Sequence, residues 1–238
     1  MRTGLTWLSA CLVCVVATLA VAGPEAAGTL NLAVTGITKE NATEPANALK
    51  AITHSGFKCP GCPYFQEQPG SCEKCKKTLE SQEKSPVISD VRADAGTGKL
   101  SLWIAPGHML SITEIENALQ ATSIRLDPEE VTLSGWARLR VEGVQSKETA
   151  GKIEKALRDA KGYDGVTLQY KDGATEAHFL LHKGLTPATI ATVRKTIESA
   201  DTGLKLADVS WIGPCMGCSK KTFGAAGCAD CWKMTQAS

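Results

Sequence analysis

The sequence predicts an α+β protein built from two tandem βαββαβ units, each accompanied by a small four-cysteine knuckle. Three observations carry that prediction. Apolar residues recur with period two and then with helical spacing, in the same order twice along the chain. The spacing Cys-x2-Cys-x9-Cys-x2-Cys also occurs twice, at Cys59, Cys62, Cys72 and Cys75 and again at Cys215, Cys218, Cys228 and Cys231. Finally, 238 residues at 43% hydrophobic and 21% charged can bury a core and are too apolar for a disordered chain.

Taken in order, residues 1–22 carry one charge, Arg2, then an apolar run ending Ala20-Val21-Ala22. A basic start, an apolar stretch and a small-x-small end predict a cleaved secretory signal, with an uncleaved membrane anchor as the alternative. Cleavage would discard Cys11 and Cys14 and leave the eight clustered cysteines in an exported protein, periplasmic or secreted. The first unit spans 28–133. Leu30, Leu32 and Val34 predict a strand, and a helix follows around Ala46 to Ile52. The first cysteine cluster, 57–80, is inserted next. Val87 to Ala93, a Gly96-Thr97-Gly98 turn, and Leu100, Leu102 and Ile104 predict a hairpin. Ser111-Ile112-Thr113-Glu114 is a capping box, with Leu110 and Ile115 placed to staple it. A strand from Ile124 to Leu133 closes the unit, and Ser134-Gly135 is the joint.

The second unit spans 136–211. Ala137, Leu139 and Val141 alternate with Arg138, Arg140 and Glu142 as a half-buried strand. Ser146 caps a helix with Ala150, Ile153, Ala156, Leu157 and Ala160 on its apolar face. Val166, Leu168 and Tyr170, a Lys171-Asp172-Gly173 turn, and Ala177, Phe179 and Leu181 predict the hairpin. Thr186-Pro187 reads as the start of the second helix, with Leu185 and Ile190 in the stapling places and Ile190, Val193 and Ile197 on one face. Leu204 to Trp211 is the last strand, leading into the C-terminal cluster, 212–238. This order is that of the ferredoxin-like split unit.

The cysteine spacing points to metal. Both sulfurs of a Cys-x-x-Cys turn can face one side, and two such turns complete a tetrahedron, the geometry of a closed structural zinc site. Pro60, Gly61 and Gly217 favour the turns, and Pro69-Gly70 and the stretch Gly224 to Gly227 let the chain reverse. Two zinc sites, one in each zinc-ribbon-like element, are expected, with copper as the alternative ion. Four thiolates leave no open position, so metal-assisted hydrolysis is not indicated. The other uses of these residues are four structural disulfides or a redox-active Cys-x-x-Cys dithiol.

Two resemblances add to this. Phe57-Lys58-Cys59-Pro60-Gly61-Cys62-Pro63, followed by Pro69-Gly70-Ser71-Cys72-Glu73-Lys74-Cys75 and ending Thr78-Leu79-Glu80, resembles the heavy-metal-binding module of bacterial efflux adaptors. Cys62 stands where that module has histidine, and Lys76-Lys77 where it has Gly-Met. The layout of both units resembles tandem heavy-metal-associated, copper-chaperone-like domains, whose loop after the first strand holds a soft ion between two thiolates. Here that loop reads Gly143-Val-Gln-Ser146-Lys-Glu-Thr149 in one unit and Gly36-Ile-Thr-Lys39-Glu-Asn-Ala42 in the other. Hydroxyls are poor ligands for soft ions, so the resemblance extends to the frame and not to its ligands.

The net charge of +1 and 5% aromatic residues exclude a nucleic-acid partner. No nucleophile elbow, phosphate-binding glycine loop or His-Glu-x-x-His is present, and no enzymatic activity is expected. Glu129-Glu130 after Pro128 reads as a solvated turn. His178 and His182 share the outward, solvated face of one strand, too far apart to bind one ion. His54 is expected to end a helix, His108 to lie in a loop, and Met216 to be a spacer. Asn41-Ala42-Thr43 is a glycosylation sequon in a eukaryotic secretory route. The expected partners are metal ions, with a metal transporter or another protein as their source or destination, and a membrane only where the N-terminal segment is retained.

Overall fold

The computed structural model describes residues 29–62, 65–66, 69–72, 75–133, 137–160, 163–183 and 188–213, with the backbone alone at 66, 163, 164, 182 and 183. The expected signal segment and the cysteines at 215, 218, 228 and 231 lie outside the described residues. Among these residues no helix is long and apolar enough to cross a membrane.

In the first half, β1 (Thr29–Thr35) buries Leu30, Leu32 and Val34 on one face, as its alternation dictates. It pairs antiparallel with β6 (Lys99–Ile104), setting Leu30 against Leu102 and Leu32 against Leu100. β5 (Ile88–Asp94) lies on the far side of β6, and β8 (Arg125–Leu126) on the far side of β1. Helix α1 (Thr43–Lys50) rests on β5 and on α2 (Ile112–Gln120). In the second half, β10 (Ala137–Glu142) is flanked by β12 (Glu176–Lys183) and β14 (Lys205–Ile212), and β11 (Tyr163–Gln169) lies beyond β12. Helix α3 (Lys147–Asp159) covers β11 and meets α4 (Ile190–Ala200). The two arrangements, β5-β6-β1-β8 and β11-β12-β10-β14, follow one spatial order, and the α+β class is as expected.

A matched glycine marks each half. Gly36 follows β1 at φ +83° and Gly143 follows β10 at φ +85°. A Cβ on Gly36 would meet the Ser123 carbonyl, and one on Gly143 the Gly203 carbonyl. Each strand therefore ends where only glycine permits both the left-handed backbone and the close approach.

The halves are joined by reciprocal strand pairing. β7 (Met109–Ser111), just before α2, adds to the edge of β14, setting Leu110 against Trp211. β13 (Ala188–Thr189), just before α4, pairs with β9 (Thr132–Leu133). β7 thus covers the outer edge of β14, so that strand presents no open template there, while β13 and β9 form a separate two-stranded ribbon between the halves. Their buried residues form a single core, running from Leu30 to Trp211. Arg194 fastens the joint: its Nε donates to the Glu129 carboxylate at 3.0 and 3.2 Å and an Nη to the Leu206 carbonyl at 3.1 Å.

Several expectations are corrected. The single closing strand from Ile124 to Leu133 is two short strands, β8 and β9, separated by a 3-10 turn at Pro128–Glu130. Asp127 accepts from the Glu129 N–H at 3.0 Å, and Pro128 has no N–H for a ladder. Helix α4 starts at Ile190, not at Thr186-Pro187, because Ala188–Thr189 are committed to β9 and Thr189 is the cap, accepting from the Thr192 N–H at 3.3 Å. His54 does not end a helix. α1 stops at Lys50, and the chain enters β2 (Thr53–Lys58), which with β3 (Phe65–Gln66) and β4 (Glu80–Pro86) forms a three-stranded insert before β5. The outward face at His178 is only partly open to solvent: Leu180 is buried there against Ile212 and His178 is half-buried beside Glu176, while the side chain of His182 lies outside the described residues.

Two glycine replacements test the frame. Gly203 has φ +79° with open space around its Cβ position, so Gly203→Ala should cost about 1 kcal/mol from backbone strain. Gly143→Ala adds the clash with the Gly203 carbonyl and should cost about 2–4 kcal/mol. Urea denaturation of the two variants reads the difference.

Candidate metal centre

The centre sits at the tip of the inserted hairpin. β2 and β4 pair from Thr53↔Pro86 to Lys58↔Glu80, so the chain leaves β2 at Cys59 and returns to β4 after Leu79. Two turns fill the gap. In the first, the Gly61 N–H donates to Cys59 Sγ at 3.3 Å. The second is a tight reversal: the Cys72 N–H donates to the Lys77 carbonyl at 2.8 Å, the Leu79 N–H to the Gly70 carbonyl at 2.9 Å, and the Cys75 N–H to Cys72 Sγ at 3.4 Å. The reversal requires φ +55° at Lys76.

The turns bring Cys59, Cys62, Cys72 and Cys75 together, all four Sγ atoms within 4.8 Å of one another and none in a disulfide. Cys62 and Cys72 Sγ are 3.6 Å apart, close to the edge of a tetrahedron with metal–sulfur distances of about 2.3 Å. The first cysteine of each turn, Cys59 or Cys72, is buried, whereas the second, Cys62 or Cys75, is half-buried. The tip has little else to hold it. Its apolar cluster is Cys59, Cys72 and Leu79, with Phe57, Cys62 and Cys75 at the margin, and it is separate from the main core.

The sulfurs do not ionise alike. Burial works to raise the Cys59 thiol, but the Gly61 N–H and the thiols of Cys62, Cys72 and Cys75 outweigh it and bring Cys59 down to about 7. Cys75 is pushed up to about 12 by its hydrogen bond to Cys62, by burial, by its bonds to Cys59 and Cys72, and by the charge of Cys59. Four sulfurs this close therefore cannot all carry charge unaided. A soft cation among them removes that conflict and fits the donor set.

The insert is seated on the body through aromatic and polar contacts. Phe65, between the two turns, stacks on His108 with ring centroids 4.0 Å apart. Gly107, at φ +79°, lets the backbone approach, since a Cβ there would stand 2.8 Å from the Phe65 carbonyl oxygen. His108 lies in the loop between β6 and β7, as expected, yet it is 3% exposed, and its Nε2 lies 3.0 Å from Ser85 Oγ of β4. His54 Nε2 meets Glu114 at 2.7 Å, and the other Glu114 oxygen accepts from the Ser111 N–H, so the capping box also clamps the insert. A cavity of about 520 Å³ opens beside this clamp, lined among the described residues by Thr53, His54, Ser55, Met109, Ser111, Glu114 and Ser210. The Gly213 N–H donates to the His108 carbonyl at 2.9 Å. The chain toward Cys215, Cys218, Cys228 and Cys231 thus leaves from beside the seat of the first centre.

The loop after each first strand holds no sulfur. Asn41 ties the first loop shut, accepting from the Thr38 N–H at 2.6 Å and donating to the Gly36 carbonyl and Ser123 Oγ, each at 2.8 Å. That structural role was hidden behind the sequon reading. In the second loop, Ser146 Oγ accepts from the Thr149 N–H at 3.1 Å as a helix cap. The roles of Phe65, His54 and Glu114 were also missed, because the contacts that define them span tens of residues in sequence.

No known family profile and no curated protein matches the chain. Among solved structures, the water-soluble region of the P-type ATPase CopA from Bacillus subtilis aligns at 15% identity over 75% of this chain and 90% of that one, with a TM-score of 0.29. A solution structure of the N-terminal soluble domains of the same protein aligns at 13% identity over 74% and 90%, with a TM-score of 0.27. Likeness at that level carries no argument about this chain.

Burial first, then the charges of His54 and Lys58, depress His108 from 6.5 to about 4. The unfolded chain takes this proton as pH falls through about 6.5, whereas the fold resists it until about 4. The stability involved is therefore complete above 6.5 and is lost on acidification toward 4, by on the order of 1 kcal/mol per pH unit. His108→Gln should flatten that slope in urea titrations of the metal-free chain at pH 7 and 5. Lys76→Gly removes the left-handed strain, worth about 1 kcal/mol, and should tighten metal binding about fivefold in competition with a chromophoric chelator.

Proposed function

We propose that the chain is an exported, non-enzymatic metal-binding protein that holds zinc or another soft ion, copper included, in a four-thiolate site at Cys59, Cys62, Cys72 and Cys75. The same spacing at Cys215, Cys218, Cys228 and Cys231 makes a second such site, and the frame that carries them is a duplicated ferredoxin-like unit whose usual ligand loops carry no thiolate. The observation that carries this reading is the convergence of four reduced sulfurs within 4.8 Å, with backbone N–H groups aimed at the first sulfur of each turn. The poverty of the local core supports it as well. With so few buried apolar side chains at the tip, bound metal becomes the main source of its folding free energy, on the order of 10 kcal/mol for a structural zinc site. The role is structural support of an interaction module, or metal buffering or delivery with a metal transporter or another protein as counterpart.

Native mass spectrometry with metal analysis, on protein from its own compartment, tests this directly. Metal at the four-cysteine sites, with free thiols released by chelation, is the expected result. A chain free of metal and lighter by eight hydrogens would replace the reading with disulfides. Loss of dithiol turnover without unfolding, on replacing Cys59 or Cys62, would replace it with thiol–disulfide exchange.

A further inference from the structure

The first centre is not symmetric about its sulfurs. Cys59 and Cys72 are 2% and 1% exposed, sealed by Leu79 and Phe57, while Cys62 and Cys75 are the half-buried pair. Lys77 reaches the first turn from the side of the half-buried Cys75. A methyl group added at Gly61 would stand 3.3 Å from Lys77 Nζ and 3.4 Å from Cys75 Sγ, so the two distances together bound the ammonium's separation from that sulfur. Lys58 and Lys76 are also exposed around the tip.

We infer that the Cys62–Cys75 side, under Lys77, is the port through which metal is exchanged, and that the exchange partner is an anionic thiolate donor. This rests on the metal-binding reading above. In the exchange an incoming thiolate donates its lone pair to the ion while the bond to Cys62 or Cys75 breaks. The electron pair stays on the departing sulfur, which takes a proton from water, and no oxidation state changes. Cys59 and Cys72 hold the ion meanwhile, because their sulfurs are buried and each accepts a backbone N–H. Lys77 attracts the incoming anion to the open side, an effect that salt screens.

The test uses the full-length chain loaded with zinc, its stoichiometry fixed first by metal analysis, so that absence of metal strikes the functional reading itself. Limiting iodoacetamide, mapped to single cysteines by fragmentation, should modify Cys62 and Cys75 at least about tenfold faster than Cys59 and Cys72. In a chain carrying serine at positions 215, 218, 228 and 231, zinc should pass to meso-dimercaptosuccinate about three- to tenfold more slowly after Lys77→Gln at low ionic strength. The difference should vanish in high salt, be restored by Lys77→Arg, and be absent with neutral dithiothreitol as acceptor. Equal modification of the four cysteines, earlier modification of Cys59 or Cys72, or an unchanged rate in Lys77→Gln would overturn the inference while leaving metal binding intact. The alkylation arm needs no substitution, so it decides the matter even where a variant fails to fold.

Discussion

The pairing of Met109–Ser111 with Ser210–Ile212 is the joint on which the rest of the structure depends. It is only three residues long, yet it fuses the apolar faces of both halves into one core by placing Leu110 against Trp211, both essentially sealed from solvent. It also fixes the turn at Ala105–His108, because the Gly213 N–H, one residue past β14, donates to the His108 carbonyl. His108 in turn seats Phe65, and Phe65 lies between the two cysteine turns. A backbone contact between the halves therefore positions a metal centre that belongs to an insert in the first half alone.

At the centre itself the governing constraint is charge. Thiolates bind soft ions, but thiolates crowded within 4.8 Å repel, and the opposed shifts of Cys59 and Cys75 are the visible consequence. The local fold tolerates one ionised sulfur by aiming N–H dipoles at it, and leaves the remaining negative charge to be met by a cation. Burial distinguishes the first cysteine of each turn, which makes Cys59 and Cys72 the anchors and Cys62 and Cys75 the half-buried members. The division of labour follows from chain geometry: the first sulfur of each turn receives an N–H from within the turn itself.

Much of this was legible in the sequence where a period or a cap was present. Leu30, Leu32 and Val34, the Ser111–Glu114 capping box and the alternation from Ala137 to Val141 each predicted an element that the structure contains. The closing strand of the first unit was misread although the signal was there. Its apolar residues are Ile124 and Leu126, then Val131 and Leu133, and the phase slips across Asp127-Pro128 where the chain turns. The pairings of β7 and β13 carried no signal, since two or three residues cannot show a period. The insert's strands were missed for another reason: Thr53–Lys58 and Glu80–Pro86 are largely exposed and polar, so no alternation marks them. For the site, the repeated spacing named the cysteines, but which two are sealed and which two face outward depends on Leu79, Phe57 and Lys77, set by folding.

The loops after β1 and β10 explain why the sulfur chemistry has a different address in this chain. Each loop leaves its strand through a glycine pressed against a carbonyl, Ser123 in one half and Gly203 in the other, so the backbone there has no freedom to remodel around an ion. Asn41 then spends its amide on three partners within the first loop and its neighbour, and Ser146 spends its hydroxyl on capping α3. With their polar groups satisfied internally, these loops offer a soft ion neither sulfur nor slack. The hairpin tip offers both: four sulfurs, and a segment with so little apolar burial that the ion itself decides how firmly it is held.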